Sequence, residues 1–393
     1  MHLLYNISIW IYLLAIHISA LFNRKAKQWI NGRKDLFKKL KQINSNNNIV
    51  WFHCASLGEY EQGRPIIESY KIKYPEHKIL LTFFSPSGYE IRKNTSLADF
   101  VFYLPQDTQS NASKFINIVN PIKVIFIKYE FWFNYMSELK KRNIPFYSVS
   151  TIFRENQILF KYNWFKKQLN NVTHFFVQEK KSADFLRNIG FTNTTITGDS
   201  RFDSVKETAN NRTPIPTLKE FSQQRQTIIC GSTWKKDEEL LIKFIKQNTE
   251  YNYIIAPHEM NNISRLRKET NGLLYSNIDV KNIKSNNVII IDNIGLLARI
   301  YSYANIAYIG GGFGSGIHNI LEAATFGLPI IFGPNHKKSN EAKELISLGG
   351  AISITNYKEL ESAITYFNNF DSEISTNYIN NNSGATKVIL EKI

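Results

Sequence analysis

The chain has 393 residues, 43% of them apolar and 13% aromatic, a size and composition that suit two domains with separate cores and exclude a disordered polymer. Its formal charge of +15 and pI near 9.5 call for an anionic partner or surface, whether nucleic acid, an acidic membrane or a phosphorylated substrate. The two cysteines, Cys54 and Cys230, each end an apolar run far from the other, which excludes a disulfide framework or a cysteine metal cluster and marks both as reduced core residues.

The first element is apolar. Residues 3–22 contain no charge, and only Asn6, Ser8, His17 and Ser19 interrupt them. At about 1.5 Å per residue they reach roughly 30 Å, the thickness of a bilayer core. Arg24, Lys25, Lys27, Arg33, Lys34, Lys38, Lys39 and Lys41 follow, with Asp35 the one acid among them. That flank predicts an anchor with its N-terminus outside and the rest of the chain in the cytoplasm. A helix lying on the membrane or buried in the protein is a second reading. A cleaved signal peptide is a third, although a signal carries its positive charge ahead of the apolar run.

From residue 49 onward, short β-branched and aromatic runs alternate with longer mixed segments. IVWFHCA (49–55), KILLTFF (78–84), IKVIFIK (122–128), IPFYSVS (144–150) and THFFVQE (173–179) read as strands, with helical stretches such as 110–119 and 131–142 between them. NNRTPIPTLKEF (210–221) follows neither period and reads as a linker. The alternation then resumes with QTIICGS (226–232), YNYIIAP (251–257), NVIIID (287–292), NIAYIGG (305–311), LPIIFGP (328–334) and GGAISIT (349–355). Serial strand, helix and strand predict an α/β chain with two Rossmann-like parallel sheets facing a central cleft. The expected division is an anchor helix at 1–23, a first domain at 24–207, a linker at 208–222 and a second domain at 223–393, with the last helix able to pack back on the first domain. The Asn-rich tracts at 44–48 and 380–382 carry no assigned chemistry.

Ligands of doubly wound sheets gather beyond the carboxyl ends of the strands. The strand at 49–55 runs into Ser56, Leu57, Gly58 and Glu59, so topology places Glu59 at such an end, and Gly58 lets a ligand approach the backbone. Glu59 and Glu61 also fit as first-turn acids favoured by a helix dipole. Glu130, in KYEFWFN, occupies the corresponding end of the strand at 122–128, as a second acid of a catalytic pair or as a solvated loop acid. In the second half, glycines 310–316 precede a helix expected near Ile317 and offer amides to a phosphate; Asn319 and Glu322, one turn apart, share a face. GSTW (231–234) adds an amide and hydroxyl cluster with Ser232 and Thr233. Any one of these loops is also readable as a plain turn.

HCASLGE (53–59), SPSG (85–88), YEFW (129–132), GDSRFD (198–203), GST (231–233) and GIHNILEAATFGLPIIFGP (316–334) occur in an order and spacing similar to the 3-deoxy-D-manno-octulosonic acid (Kdo) transferases of lipopolysaccharide synthesis. The resemblance runs from the anchor to Ile354. It implies a GT-B fold and transfer of Kdo from CMP-Kdo to a lipid A precursor with inversion and with neither metal nor cofactor. It also implies residence on the cytoplasmic face of the inner membrane, with an anionic membrane surface and no nucleic acid as partner. By position, Glu59 resembles the family's general base and Glu130 its supporting acid, while Arg201 stands where the family usually has a transition-state lysine. Pro257 and His258 stand where it usually reads Pro-Arg. Ile294, Gly295 and Leu296 match the backbone that contacts CMP, and Asn319, Ile320, Leu321 and Glu322 the nucleotide loop. Ser232 and Thr233 fall with the donor residues, Ser56 and Gly58 beside the base, and Arg154 on a recurrent arginine.

Other classes leave different marks. A nucleic-acid module would interleave aromatic and basic residues on one face, whereas the charge here clusters beside the apolar segment. A nicotinamide enzyme would carry its glycine loop after the first strand of a domain. A different GT-B transferase or a nucleotide-sugar epimerase lacks the anchor and the Leu57-Gly58-Glu59 context.

Overall fold

The computed structural model describes residues 1–43, 47–155, 157–279 and 282–393; part of the Asn-rich tract at 44–48 lies outside them. The chain divides into two compact units, Met1–Ser204 with Ser383–Ile393, and Val205–Asn382.

The first unit is built on seven parallel strands: β1 (Ile49–Cys54), β2 (Lys78–Phe83), β3 (Phe100–Tyr103), β4 (Lys123–Ile127), β5 (Phe146–Thr151), β6 (His174–Val177) and β7 (Thr194–Ile196). Their order across the sheet is β3-β2-β1-β4-β5-β6-β7. The order reverses between β1 and β4, which makes their carboxyl ends the switch point where such sheets bind ligands. All six residues of β1 are buried, as a strand covered on both faces requires. Side chains alternate between two cores. Ile49 and Trp51 join Phe115, Phe126 and Tyr135 beneath the helices Gln109–Val119 and Phe133–Lys141. Val50, Phe52 and Cys54 pack with Tyr60, Ile66 and Ile67 of the helix Leu57–Lys73. The C-terminal helix Ala385–Leu390 places Ile389 and Leu390 in this second core, where each buried side chain contributes about 1.5–3 kcal/mol. Its start is fixed by Asp203, whose carboxylate accepts the amides of Gly384 and Thr386.

The second unit repeats the plan with β8 (Thr227–Thr233), β9 (Asn252–Pro257), β10 (Leu273–Leu274), β11 (Val288–Ile290), β12 (Ile306–Ile309), β13 (Ile330–Phe332) and β14 (Ala351–Ser353). The order β10-β11-β9-β8-β12-β13-β14 puts its switch point between β8 and β12. Sequence reading finds eleven of the fourteen strands, including the three-residue β11, β13 and β14, and misses β3, β7 and β10, of four, three and two residues. Within the expected linker, Pro216 starts the helix Pro216–Ser222, whose Leu218 and Phe221 are fully buried.

The helix His2–Ser19 is long and apolar enough to cross a membrane. It is packed along one face on the first unit, where Ile9 and Leu13 meet Trp29. Tyr5 donates from its hydroxyl to the buried Asp107 at 2.5 Å, and Asn134 donates from its side chain to Asn6 Oδ1 at 3.0 Å. Asp107 also accepts the amides of Asn134 and Tyr135, capping the helix Phe133–Lys141 from another loop. Leu3, Leu4, Ile7, Trp10, Ile11, Leu14 and Ile18 remain exposed.

Of the basic flank, Arg24, Lys25, Lys27, Lys34, Lys38, Lys39 and Lys41 are exposed. Arg33 is different. Its guanidinium donates to the carbonyls of Leu104, Trp29 and Phe84 and lies 3.7 Å over the Trp29 ring, and burial lowers its pKa to about 9. It is a structural clamp under the N-terminal helix, not one of the surface cations.

Candidate active site

Glu59 lies in the first turn of the helix Leu57–Lys73, directly beyond β1. The preceding Ser56 is extended and gives the helix no side-chain cap. Glu59 instead folds its own carboxylate back to accept the Ala55 amide. A first-turn acid at a solvated helix start keeps an ordinary pKa, and Glu59 does not: it is raised to about 7. Burial is the main cause, the charge of Glu130 the second, and the Ala55 amide and Lys128 oppose both. A Cβ added at Gly58 would meet nothing within 4 Å, so the fold does not demand glycine there and the space above the backbone is open.

Glu130 follows β4 on a loop entered through Lys128, whose φ of +63° is unusual for a side-chain-bearing residue. Its Oε2 accepts the Trp132 indole N–H at 2.7 Å and lies 3.4 Å from Nε2 of the fully buried His53. The structure therefore brings the two predicted acids to adjacent strand ends at the switch point and couples their charges.

Arg201 opens the helix Arg201–Asn210, and the loop that leads into it is fastened to the Glu59 helix. Ser200 donates to the Gln62 carbonyl at 2.7 Å, one turn beyond Glu59, and Ser150, at the end of β5 with φ +56°, meets Ser200 at 3.0 Å. Arg201 forks onto Asp199, with Nε and a terminal nitrogen at 2.7 and 2.6 Å from Oδ2. Arg154 is exposed beyond β5, and its charge acts on Tyr129, the neighbour of Glu130.

In the second unit, Ser232, Gly295, Leu297, Ala298, His318, Asn319 and Glu322 line a pocket of about 310 Å³ at the β8/β12 switch point. Ser232 has φ +53° at a register shift between Gly231 and Thr233, a bulge of the kind that aims a residue into a site. Asn319 donates to Glu322 at 3.1 Å and accepts the Leu321 amide, so the two expected residues hold each other at the pocket. Ile320 and Leu321 are buried and offer only backbone. The Thr233 hydroxyl is directed to the buried Glu238 at 3.2 Å. Ile294 is 90% exposed, and Gly295 beside it takes φ +89°. Pro257 ends β9 and His258 follows it at the same strand-end layer, with the His258 amide bonded to the Thr233 carbonyl.

Two expectations for this region change. The helix begins at Leu321, not near Ile317, because the amides of Ile317 and His318 are bonded across to Asn335 and Gly310. Nor are the loop glycines an open amide cradle. The amides of Gly310, Gly311, Gly314 and Gly316 are bonded to Gly231, Asp237 and twice to Gly311. A Cβ at Gly310 would lie 2.3 Å from the Ser232 carbonyl oxygen, and one at Gly312 2.5 Å from the Gly333 amide nitrogen. Glycine is required here so that backbone can pass backbone.

His318 is a pocket residue that sequence reasoning missed, although it stands inside the quoted GIHN motif. Its Nε2 accepts the Trp234 indole N–H at 2.9 Å, which leaves the ring proton on Nδ1. The His258 ring stacks on Trp234 at 4.4 Å and lies 4.7 Å from His318. Burial, with His258 second, lowers the His318 pKa. Among the described residues no group of three His, Cys, Asp or Glu side chains is placed to hold a metal ion.

Residues 31–204 match the family model for 3-deoxy-D-manno-octulosonic-acid transferase (kdotransferase). Over 375 residues the chain is 28% identical to the 3-deoxy-D-manno-octulosonic acid transferase of Rickettsia bellii, spanning 90% of this chain and 88% of that protein. It is 26% identical over 349 residues to the protein of the same name from Aquifex aeolicus, spanning 87% and 92%. Among solved structures, the UDP-GlcNAc 2-epimerase from Neisseria meningitidis bound to UDP-GlcNAc matches with a TM-score of 0.58 and 14% identity, over 87% of this chain and 98% of that one, a likeness of fold alone. With two seven-stranded parallel α/β units, the fold is GT-B.

Proposed function

We propose that the chain, similar along most of its length to the 3-deoxy-D-manno-octulosonic acid transferases of lipopolysaccharide biosynthesis, is a glycosyltransferase of that family and transfers Kdo from CMP-Kdo to the lipid A precursor lipid IVA with Glu59 as general base. The observation that carries this reading is the Glu59 carboxylate at the β1/β4 switch point, raised to about 7 by burial and by Glu130. A base is most effective when its pKa lies near the working pH.

In the proposed step a hydroxyl of the acceptor attacks the anomeric carbon of Kdo as Glu59 takes the hydroxyl proton. A new carbon–oxygen bond forms, the bond from that carbon to the CMP phosphate breaks on the opposite face, and CMP leaves with the electron pair, which inverts the centre. Glu130 supports Glu59, and Arg201 offsets charge that develops on the departing phosphate without calling on a metal or cofactor. Arg201 keeps Asp199 as its ground-state partner. The second unit holds the donor, with Ser232, Gly295, Asn319 and Glu322 at the pocket and the Trp234 and His258 rings at its strand ends. Thr233, Pro257, Ile294, Leu296, Ile320 and Leu321 contribute through backbone and shape, and Ser56, Gly58 and Arg154 contact acceptor or sugar beside the base.

The exposed apolar face of the helix His2–Ser19 and the seven exposed cations that follow it hold the enzyme to anionic lipid on the cytoplasmic face of the inner membrane, where its acceptor resides. No nucleic acid partner is part of this reading.

The test is transfer from CMP-Kdo generated in situ to a tetraacyl lipid A precursor, with wild type, Glu59→Ala and Glu59→Gln. Wild type transfers and both variants lose most of the rate. Absence of transfer by wild type rejects the donor and acceptor; near-normal turnover by Glu59→Gln rejects the base.

A further inference from the structure

His53 occupies the penultimate position of β1, on the sheet face shared with Ile49 and Trp51. It is fully buried. Its register partners are Thr82 on β2 and Phe126 on β4, the latter ring 4.8 Å away. A polar ring in such a place needs partners for both nitrogens.

The Thr82 hydroxyl serves Nδ1 at 2.8 Å. That oxygen already accepts the Trp51 indole N–H at 2.7 Å. If His53 carried its proton on Nδ1, Thr82 would be left to donate only to the Phe52 carbonyl at 3.5 Å, and the bare Nε2 lone pair would face a carboxylate oxygen. The other tautomer removes both faults: Thr82 donates to Nδ1, and Nε2–H faces Glu130. Nε2 makes no hydrogen bond of ordinary geometry, and Glu130 Oε2 lies 3.4 Å from it. Catalytic contacts of this kind are often long in the free enzyme and tighten once substrate is bound.

We propose that His53 is a positioning residue for the transfer reaction, its Nε2–H steering the Glu130 carboxylate from inside the sheet and, through Glu130, governing how readily Glu59 takes a proton. The chain of contacts is Trp51 to Thr82 to His53 to Glu130, with Trp132 donating to the same Glu130 oxygen from the other side. Two N–H groups converging on one oxygen fix where the Glu130 charge stands, and that charge is the second largest influence on Glu59. The other charged or titratable groups in this field are Lys128 beside Glu59, Cys54 and Glu61, and Tyr5 near Glu130. The proposal rests on Glu59 being the base.

The experiment is the pH dependence of kcat/KM for transfer by the full chain carrying His53→Leu, His53→Gln or Glu130→Gln. Removing the donor with His53→Leu moves the acid limb to lower pH by about half a unit or more. His53→Gln, whose side-chain amide reaches the place of Nε2, keeps the limb within about 0.2 of wild type. Glu130→Gln moves it the same way as His53→Leu, and the double variant moves it no further. A loss of rate at every pH with the limb in place makes His53 merely structural and overturns the proposal. Should His53→Leu fail to fold, the ring 15N shifts of histidine-labelled wild type decide instead: protonated Nε2 with bare Nδ1 is expected, and the reverse overturns it. A limb retained unchanged in Glu59→Gln overturns the base assignment and the link to Glu59 with it, while the ring tautomer still decides the contact to Glu130.

Discussion

At β1 and β4 the first unit ends two neighbouring strands on carboxylates that crowd each other largely out of water, whereas at β8 and β12 the second unit ties its carboxylates down. Asp237 is fully buried and accepts from the Trp234 amide, the Gly311 amide and the Tyr308 hydroxyl. Glu238, equally buried, is paired with Arg265 and accepts from Thr233. The same topology thus yields two kinds of site. Glu59, with a pKa near 7, is equipped to exchange a proton; the second switch point is braced so that its pocket keeps one shape. Location at a strand end does not tell these apart, but the partners of each carboxylate do.

The comparison is broken most directly at Glu59. Glu59→Ala should lower transfer by about 10²- to 10⁴-fold, the usual worth of a positioned base, with CMP-Kdo affinity little changed by calorimetry. Next in size is Asp237→Ala. It leaves three donors, two of them buried, without an acceptor, and urea unfolding should show a loss of about 3 kcal/mol or more, while the acid limb of the rate profile of whatever remains folded stays in place. Asn319→Ala and Glu322→Ala sharpen the contrast at the pocket. Each should raise KM for CMP-Kdo about tenfold, roughly 1.4 kcal/mol, and leave kcat within about twofold because neither touches the proton.

A smaller effect comes from the energetic cost of keeping Glu59 poised. Its folded pKa, about 7, is above the ordinary 4.5. The stability linked to its protonated form is therefore complete below about 4.5 and is lost as pH rises through about 7. Gln is spared that loss, so Glu59→Gln should raise the thermal midpoint at pH 8 by a few degrees and change it little at pH 4. Smaller still, Tyr5→Phe removes one hydrogen bond to Asp107, worth about 1 kcal/mol, and should show as faster amide exchange across the helix His2–Ser19.

Much of the frame is legible in the sequence. The apolar run of β1, the abrupt turn at Leu57-Gly58-Glu59 and the corresponding turn at Tyr129-Glu130 are local signals, and local signals are what period and composition report. Asn120 and Asn143, with φ of +42° and +56°, mark in sequence and structure alike where two helices end. What the sequence hides is made by contacts between distant residues. Asp107 acquires its role from Tyr5, 102 positions away, and from Asn134. His53 reads as one more residue of a buried strand until Thr82 and Glu130 are brought beside it. The glycines at 310–312 suggest a phosphate loop because spacing cannot reveal that Ser232 and Gly333 pass against them. Arg33 counts as a surface charge until three carbonyls close on it.

The central claim is that Glu59 is the base and that its surroundings hold it near neutrality. It is tested by the pH dependence of kcat/KM for Kdo transfer in wild type and Glu59→Gln. Wild-type kcat/KM is expected to rise as a single ionisation near pH 7, and Glu59→Gln, at its residual rate, to show no such limb. A limb near pH 7 that persists in Glu59→Gln, or a wild-type limb at the ordinary carboxylate value near 4.5, would contradict it.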